Sequence, residues 1–261
     1  MKKRNLLFNI IFSTLGGLLL LFIILPLASI LLGTTPHTLW LALVDTEVLR
    51  SISLTFSAAA IATLLAIVTG VPLAFLLARR KFSGKRLVEA LVNLPIVIPH
   101  TAAGVALLLV FGRRGLLGQW LTPLGVTFTD NFTGIVVAML FVSLPFLVNL
   151  SRESFALVDE ELELVALIDG ASPWQAFWYV SLPQAWRGIM AGALMMWARG
   201  ISEFGAVVIL AYHPKIVPVL VFERFEGFGL VAAQPVAALL VLVALATFIF
   251  LRLSLLSESN E

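Results

Sequence analysis

The sequence predicts an all-α integral membrane protein, with six transmembrane helices and a cytoplasmic two-helix loop between the fourth and fifth. Three observations predict it. Of 261 residues, 60% are hydrophobic and only 12% charged. That is about half the charged share of a soluble domain, too little to cover a water-facing surface. Six apolar segments come near or exceed the roughly 20 residues that a helix needs to cross a bilayer: about 8–32, 52–78, 88–111, 134–151, 188–211 and 231–253. One long amphipathic stretch, Asp159–Pro183 in the 152–187 spacer, interrupts them, with Asp159, Glu160, Glu161 and Glu163 crowded at its start.

Several classes fall away at once. Without cysteine there are no disulfides and no thiolate metal sites. No histidine has a second ligand at metal-binding spacing, so no metal site is expected. The net charge of +2 includes no basic run long enough to argue for nucleic acid. No spacer between the apolar segments is long enough for a separate soluble domain, so residues 1–261 read as a single transmembrane domain embedded in the lipid bilayer.

The first segment follows Lys2, Lys3 and Arg4 and runs from Leu6 to about Leu32. The apolar core of a secretion signal is roughly 7–15 residues, so this segment reads as an uncleaved first span. Orientation follows from lysine and arginine. With the N-terminus inside, Lys2, Lys3, Arg4, Arg79, Arg80, Lys81, Lys85, Arg86, Arg152, Arg187 and Arg252 are inside, while Arg50, Arg113, Arg114, Lys215 and Arg224 are outside. The bias predicts that both termini and the 152–187 loop are cytoplasmic.

The second span ends at Arg79-Arg80-Lys81. The third contains Pro95 and Pro99, with Asn93 and His100 nearby. Proline removes a backbone donor and frees a carbonyl, which a membrane tolerates only beside protein or a water-filled path. A single kinked helix is expected, either packed against its neighbours or lining a pore. The fourth span is the shortest. The fifth carries Gly188 and Gly192, a small-xxx-small pair that permits close helix contact. It also carries Arg199, Ser202 and Glu203. Arg199 and Glu203, four apart, share a face and are able to pair. Ionisable groups at membrane depth face protein or a cavity, so the pair reads either as a packing lock or as part of a gate.

Within the loop, Asp159, Glu160, Glu161 and Glu163 suit the positive end of a helix dipole. The helical pattern continues through Leu162, Val165, Ala166 and Ile168 until Gly170 stops it. Ser172, Pro173 and Gln175 form a capping box for a second short helix. On it, Trp174, Phe177 and Trp178 form one exposed aromatic face, and Pro183 ends it. Two roles fit this face: lying on the lipid interface, or docking in a groove of a partner protein.

The spacing of this loop resembles the EAA loop of ABC importer permeases, whose pattern is Glu-Ala-Ala, three residues, Gly, nine residues, then Ile-x-Leu-Pro. Gly170 fits the glycine and Val180-Ser181-Leu182-Pro183 fits the end, with valine for isoleucine. The Glu-Ala-Ala positions fall on Leu164, Val165 and Ala166. Only the last alanine matches, and Glu163 stands one residue early. The segment LAFLLARRKFSGKRLVEALVNLPIVIPHTAAGVALLL is similar to the second and third helices of the molybdate, tungstate and sulfate branch. RGISEFGAVVILAYHPK is similar to the fifth helix of that branch, and PVLVFERFEGFGL to its tungstate/molybdate members.

The resemblance implies a homodimeric pore in a prokaryotic cell membrane. An external oxyanion-binding protein delivers tungstate or molybdate, and two separate ATP-binding subunits drive alternating access. It implies an ATPase-coupling set of Glu163, Ala166, Gly170, Ala171, Trp174, Phe177, Leu182 and Pro183. Asn93, Pro95, Pro99, His100, Arg199, Ser202 and Glu203 are the candidate pathway. No catalytic residue and no bound cofactor is expected of this chain: ATP and Mg belong to the partner subunit. The sequence agrees, because it contains no phosphate-binding Gly-x-x-x-x-Gly-Lys-Ser/Thr loop; Gly84-Lys85 is the nearest fragment. Sulfate or another anion is the alternative cargo. An ion-coupled carrier is the alternative class, with Glu203 as its candidate intramembrane carboxylate.

Overall fold

A computed structural model describes residues 2–257. The chain ends, and the side chains of Lys2, Lys3, Arg4 and Arg252 used in the charge count, lie outside the described residues. Thirteen α-helices and no strand occur among the described residues. They are α1 (Lys2–Leu32), α2 (Pro36–Val44), α3 (Thr46–Arg79), α4 (Lys85–Val97), α5 (His100–Phe111), α6 (Gly118–Leu121), α7 (Phe132–Leu157), α8 (Glu160–Ile168), α9 (Pro173–Ala176), α10 (Leu182–Ile201), α11 (Gly205–Leu210), α12 (Val217–Phe228) and α13 (Leu230–Ser257).

Among the described residues, four stretches are long and apolar enough to cross a membrane: Phe8–Leu32, Thr46–Arg79, Phe132–Leu157 and Leu230–Leu251. They coincide with the first, second, fourth and sixth predicted spans. The other two differ from expectation. The third is no single kinked helix: α4 and α5 turn 116° from each other about Ile98-Pro99. Pro99, which cannot donate to a helical bond, caps α5 instead of continuing α4. The fifth is likewise two pieces, α10 and α11, parted at Ser202–Phe204. Polar Gln184, Arg187 and Arg199 keep α10 less apolar than the four long spans.

The core is α3, α7 and α10. Ala58, Ala59, Ala62, Ala66, Gly70 and Ala74 make a stripe of small buried residues along α3. In a bilayer there is no hydrophobic drive between helices, so close van der Waals contact between small residues does the work. Gly188 shows it sharply: a β-carbon there would overlap the Ser154 side chain of α7, and one at Gly192 would press on Leu147 and Leu150. The Gly188/Gly192 pair therefore seats α10 on α7. By contrast, none of the Phe8–Leu32 stretch of α1 is buried within the chain.

Candidate functional site

Two constellations gather residues that the sequence singles out, one at the end of the core helices and one in their middle. The first is the 159–183 segment. Asp159 caps α8 by accepting from Glu161 N at 2.9 Å. Helix α8 ends at Gly170, whose φ of 94° is open to glycine at no steric cost. Ala171 N then donates to Ala166 O at 2.9 Å and Gly170 N to Leu167 O at 3.2 Å, closing the helix end. The predicted capping box is present: Gln175 N donates to Ser172 Oγ (3.3 Å), and Ser172 N to Gln175 Oε1 (2.8 Å).

Beyond it, Pro183 does not end the helix, contrary to the sequence expectation. A wide turn over Phe177–Ser181 leads straight into α10, and Pro183 lies in the first turn of α10. Leu182 N reaches back five residues to Phe177 O. Pro183 has no N–H to add to this run of π-type bonds.

Glu163 faces inward. It accepts from Arg79 Nε (2.9 Å) and from Ser181 Oγ (2.8 Å), and lies 2.8 Å from a second Arg79 nitrogen. The same guanidinium donates to Val158 O at 2.8 Å and lies 3.6 Å from Glu160. With side-chain exposures of 7% for Arg79 and 17% for Glu163, this is a sheltered bracket. It joins the end of α3, helix α8 and the turn that starts α10. The aromatic residues divide. Trp174 and Trp178 stay exposed, whereas Phe177 is half-buried against Phe75 and Phe155, with ring centres at 4.9 and 6.0 Å. The three rings are thus no single exposed face, and Phe177 anchors the segment. Outward, α8 presents Leu164, Val165 and Ile168, with Ile168 83% exposed; Leu182 packs partly buried against the core.

The second constellation joins the two helix breaks. Arg199 Nη2 donates to Glu203 Oε2 at 2.8 Å, the predicted i,i+4 pair. His100, from the α4–α5 break, completes it: Nδ1 lies 2.9 Å from Glu203 Oε2, and Nε2 lies 3.0 Å from Arg199 Nη2. Arg199 Nη2 also lies 2.8 Å from His100 Nδ1. Glu203 Oε1 accepts from Ala206 N at 2.8 Å, and Arg199 Nη1 meets Ser202 Oγ at 3.3 Å. Gly205 permits the approach, because a β-carbon there would stand 2.7 Å from His100 Cβ. Nothing in the sequence links His100 to Glu203, which is 103 residues away.

Of the other pathway candidates, Pro95 is buried within α4 and Pro99 forms the break. Asn93 belongs to a separate polar seam between α4 and α7: Asn149 Nδ2 donates to Asn93 Oδ1 (2.6 Å), and Arg152 pairs with Glu89 (3.1 Å).

The sequence reading missed a third cluster, at the other end of α3. Arg224 pairs with Asp45 (2.6 Å), and Lys215 with Glu223 (2.7 Å) and Glu47 (3.2 Å). The Arg224 hydrogen bond holds the Asp45 carboxyl below its ordinary value. The Lys215–Glu223 bond holds Glu223 low and Lys215 high. Burial, then the neighbouring Glu223, pushes the Tyr212 hydroxyl up. A 420 Å³ cleft opens beside this cluster, between α2 and α12. A run of acids and bases spread over 180 residues shows no such pairing until the chain is folded.

An all-helical membrane bundle with a bracketed two-helix hook at one end suits a permease of the ABC importer class, and the family match shows it to be one. The chain belongs to the family described as the binding-protein-dependent transport system inner membrane component, whose model matches residues 70–259; it is a transport component, not an enzyme. Two relatives are each called molybdate/tungstate transport system permease protein WtpB. The one from Pyrococcus furiosus is 46% identical over 92% of both chains. The one from Thermococcus kodakarensis is 43% identical over 93% of this chain and 94% of its own. A sulfate transport system permease protein, CysT of Synechocystis, is more distant, at 33% over 90% of this chain and 85% of its own. Among solved structures, a bacterial ABC transporter involved in alginate import superposes with a TM-score of 0.76 over 97% of this chain and 96% of that one. At 17% identity it speaks for the fold alone.

Proposed function

We propose that this chain is the membrane-spanning subunit of an ATP-driven importer of tungstate and molybdate, working by alternating access. Two copies form the pore. Each crosses the membrane six times, counting the broken α4–α5 and α10–α11 as one crossing each, with both termini and the α8–α9 hook on the cytoplasmic side. The exposed Leu164, Val165 and Ile168 ridge of α8 docks on an ATP-hydrolysing subunit that supplies the ATP and Mg sites. A binding protein delivers the oxyanion to the face that carries Arg224 and Lys215.

The observation that carries this reading is the Arg79–Glu163–Ser181 bracket. It makes α8, α3 and α10 move together. A push on α8 reaches Arg199 along α10, whose 20 residues span about 30 Å at 1.5 Å per residue. The molybdate/tungstate relatives, at higher identity than the sulfate permease, favour the cargo.

The test is uptake of labelled molybdate, tungstate and sulfate into vesicles that hold this chain with its ATPase subunits and binding protein. ATP-dependent uptake of the first two above sulfate is expected. Gradient-driven uptake by this chain alone overturns the reading in favour of an ion-coupled carrier. Preferred uptake of sulfate corrects the cargo.

A further inference from the structure

We propose that the turn between α3 and α4 is a binding site for the phosphate headgroup of an anionic phospholipid in the cytoplasmic leaflet. Lys81, Lys85, Arg86 and the first free N–H groups of α4 are its donors. The site rests on the import reading only for the side of the membrane that it faces.

The turn borders a cavity of 410 Å³, lined by Lys81, Phe82, Gly84, Lys85, Arg86 and Glu89. Lys81, Lys85 and Arg86 meet no carboxylate among the described residues, whereas the neighbouring Arg79 and Arg152 each do. The single carboxylate in the lining is already engaged: Glu89 pairs with Arg152 at 3.1 Å. The backbone adds donors. Gly84 has no side chain with which to cap α4, and the N–H groups of Arg86 and Leu87 meet no acceptor among the described residues. The first N–H groups of a helix, at the positive end of its dipole, favour an anion. Unpaired cations and unpaired amides around one cavity make a donor set for the oxygens of a phosphate.

The surroundings decide between a dissolved phosphate and a lipid. Helix α3 stops at Arg79 and α4 starts at Lys85, so the cations stand where apolar helices give way to water. Leu76 near the end of α3 is exposed, and so are Leu87, Leu91 and Leu94 along one face of α4. These are surfaces for acyl chains. Phe82, exposed within the basic turn, suits the boundary between headgroups and chains. A dissolved phosphate uses none of this apolar surface, whereas a phospholipid uses both the donors and the leucines. Charge bias alone places lysine and arginine on the inner side, but it does not require a cavity among them with no free acid to answer them. Basic pockets at the cytoplasmic ends of membrane helices suit anionic headgroups.

The experiment uses the full transporter, this chain with its ATPase subunits, in nanodiscs of equal parts phosphatidylglycerol and phosphatidylcholine. Native mass spectrometry of the released complex counts the lipids that stay bound. Preferential retention of phosphatidylglycerol by the wild type is expected. Lys81→Gln, Lys85→Gln and Arg86→Gln together lower that preference by about tenfold or more. The charge-preserving pair Lys81→Arg and Lys85→Arg keeps it.

Equal retention of the two lipids by the wild type, or an unchanged preference in the triple variant, overturns the site. If the triple variant does not assemble, Lys85→Gln alone decides: an unchanged preference refutes the site, a weakened one upholds it. Added inorganic phosphate separates the two sources. If it displaces phosphatidylglycerol at matched concentration, the site belongs to a dissolved anion and the lipid assignment falls. Orientation is read separately. The chain has no cysteine, so Ser83→Cys in the exposed turn reports its side through a membrane-impermeant maleimide. Labelling from the cytoplasmic side without a lipid preference removes the site and leaves the import reading standing. Labelling from outside overturns the orientation in the import reading and, with it, a site in the cytoplasmic leaflet.

Discussion

Arg79 makes the residue-scale case most clearly, because one guanidinium serves Glu163, Glu160 and the Val158 carbonyl at once. Removing one partner of a fully buried pair costs about 3–5 kcal/mol. Glu163 retains Ser181 and some water, so Arg79→Ala is expected to cost nearer to about 2 kcal/mol. Its functional signature is a split: ATP hydrolysis by the assembled complex persists while oxyanion uptake falls severalfold. Parallel ATPase and uptake assays check this, and equal loss of both speaks against the bracket as a coupling device. Gly170 is a second residue-scale case. A β-carbon there meets nothing in this chain, so the strain of substitution lies in its φ of 94°. Left-handed backbone costs an ordinary residue about 1–2 kcal/mol, and asparagine less. Gly170→Val is expected to insert normally but uncouple hydrolysis from uptake, with Gly170→Asn closer to wild type. Normal coupling in the valine variant would sink the idea.

Among the elements, α10 links the hook to the mid-depth cluster, and its seat on α7 sets its position. Gly188→Ala drives a methyl into Ser154, and overpacking of this kind costs about 1–3 kcal/mol. The thermal midpoint of the purified protein in detergent should fall by several degrees. Combining it with Ser154→Gly should recover most of the loss, and additive losses in the double variant would disprove the contact. At the other end of α3, the charged cluster ties the α2–α3 junction to α12 through Arg224, Lys215 and their carboxylates. Asp45 and Glu223 are held below their ordinary values of 3.8 and 4.5. Their contribution is therefore complete above those values and is lost as pH falls through the lower folded-state ones. Lys215 is held above 10.5, so its contribution is complete below that value and is lost as pH rises through the higher folded-state one. A stability profile with a plateau between these limbs is expected. Arg224→Ala should flatten the Asp45 share of the acid limb; an unchanged acid limb would show that this pair contributes nothing.

At the scale of the whole molecule, the described chain is a three-helix core with a hook at one end, a charged clasp at the other and two broken helices between them. The small-residue stripe of α3 and the seat of α10 pack these helices closely, and α10 forms a continuous path from the hook to the Ser202–Phe204 break. The breaks are where the path can yield. Their backbone is irregular, and Glu203 Oε1 satisfies part of it at depth by accepting from the Ala206 N–H.

The sequence by itself determined the class of fold, four of the long spans, the α8–Gly170–capping-box pattern and the Arg199–Glu203 pair. All of these rest on local periodicity, or on residues a few positions apart whose side chains must meet on a helix. It also carried the family pattern through Gly170, Leu182 and Pro183. Tertiary structure alone decided that Glu163 turns inward to Arg79, that Phe177 anchors on Phe75 and Phe155, and that Asn93 meets Asn149. It alone decided that Pro99 breaks its helix by 116° instead of kinking it, and that His100 joins a pair 99 and 103 residues away. The physical reason is the same in each case. Periodicity reports which face of a helix is apolar, but in a chain apolar nearly all round it does not say which neighbour that face meets. Close packing of small residues and the need to satisfy each buried polar group make that choice, and both depend on helices distant in sequence.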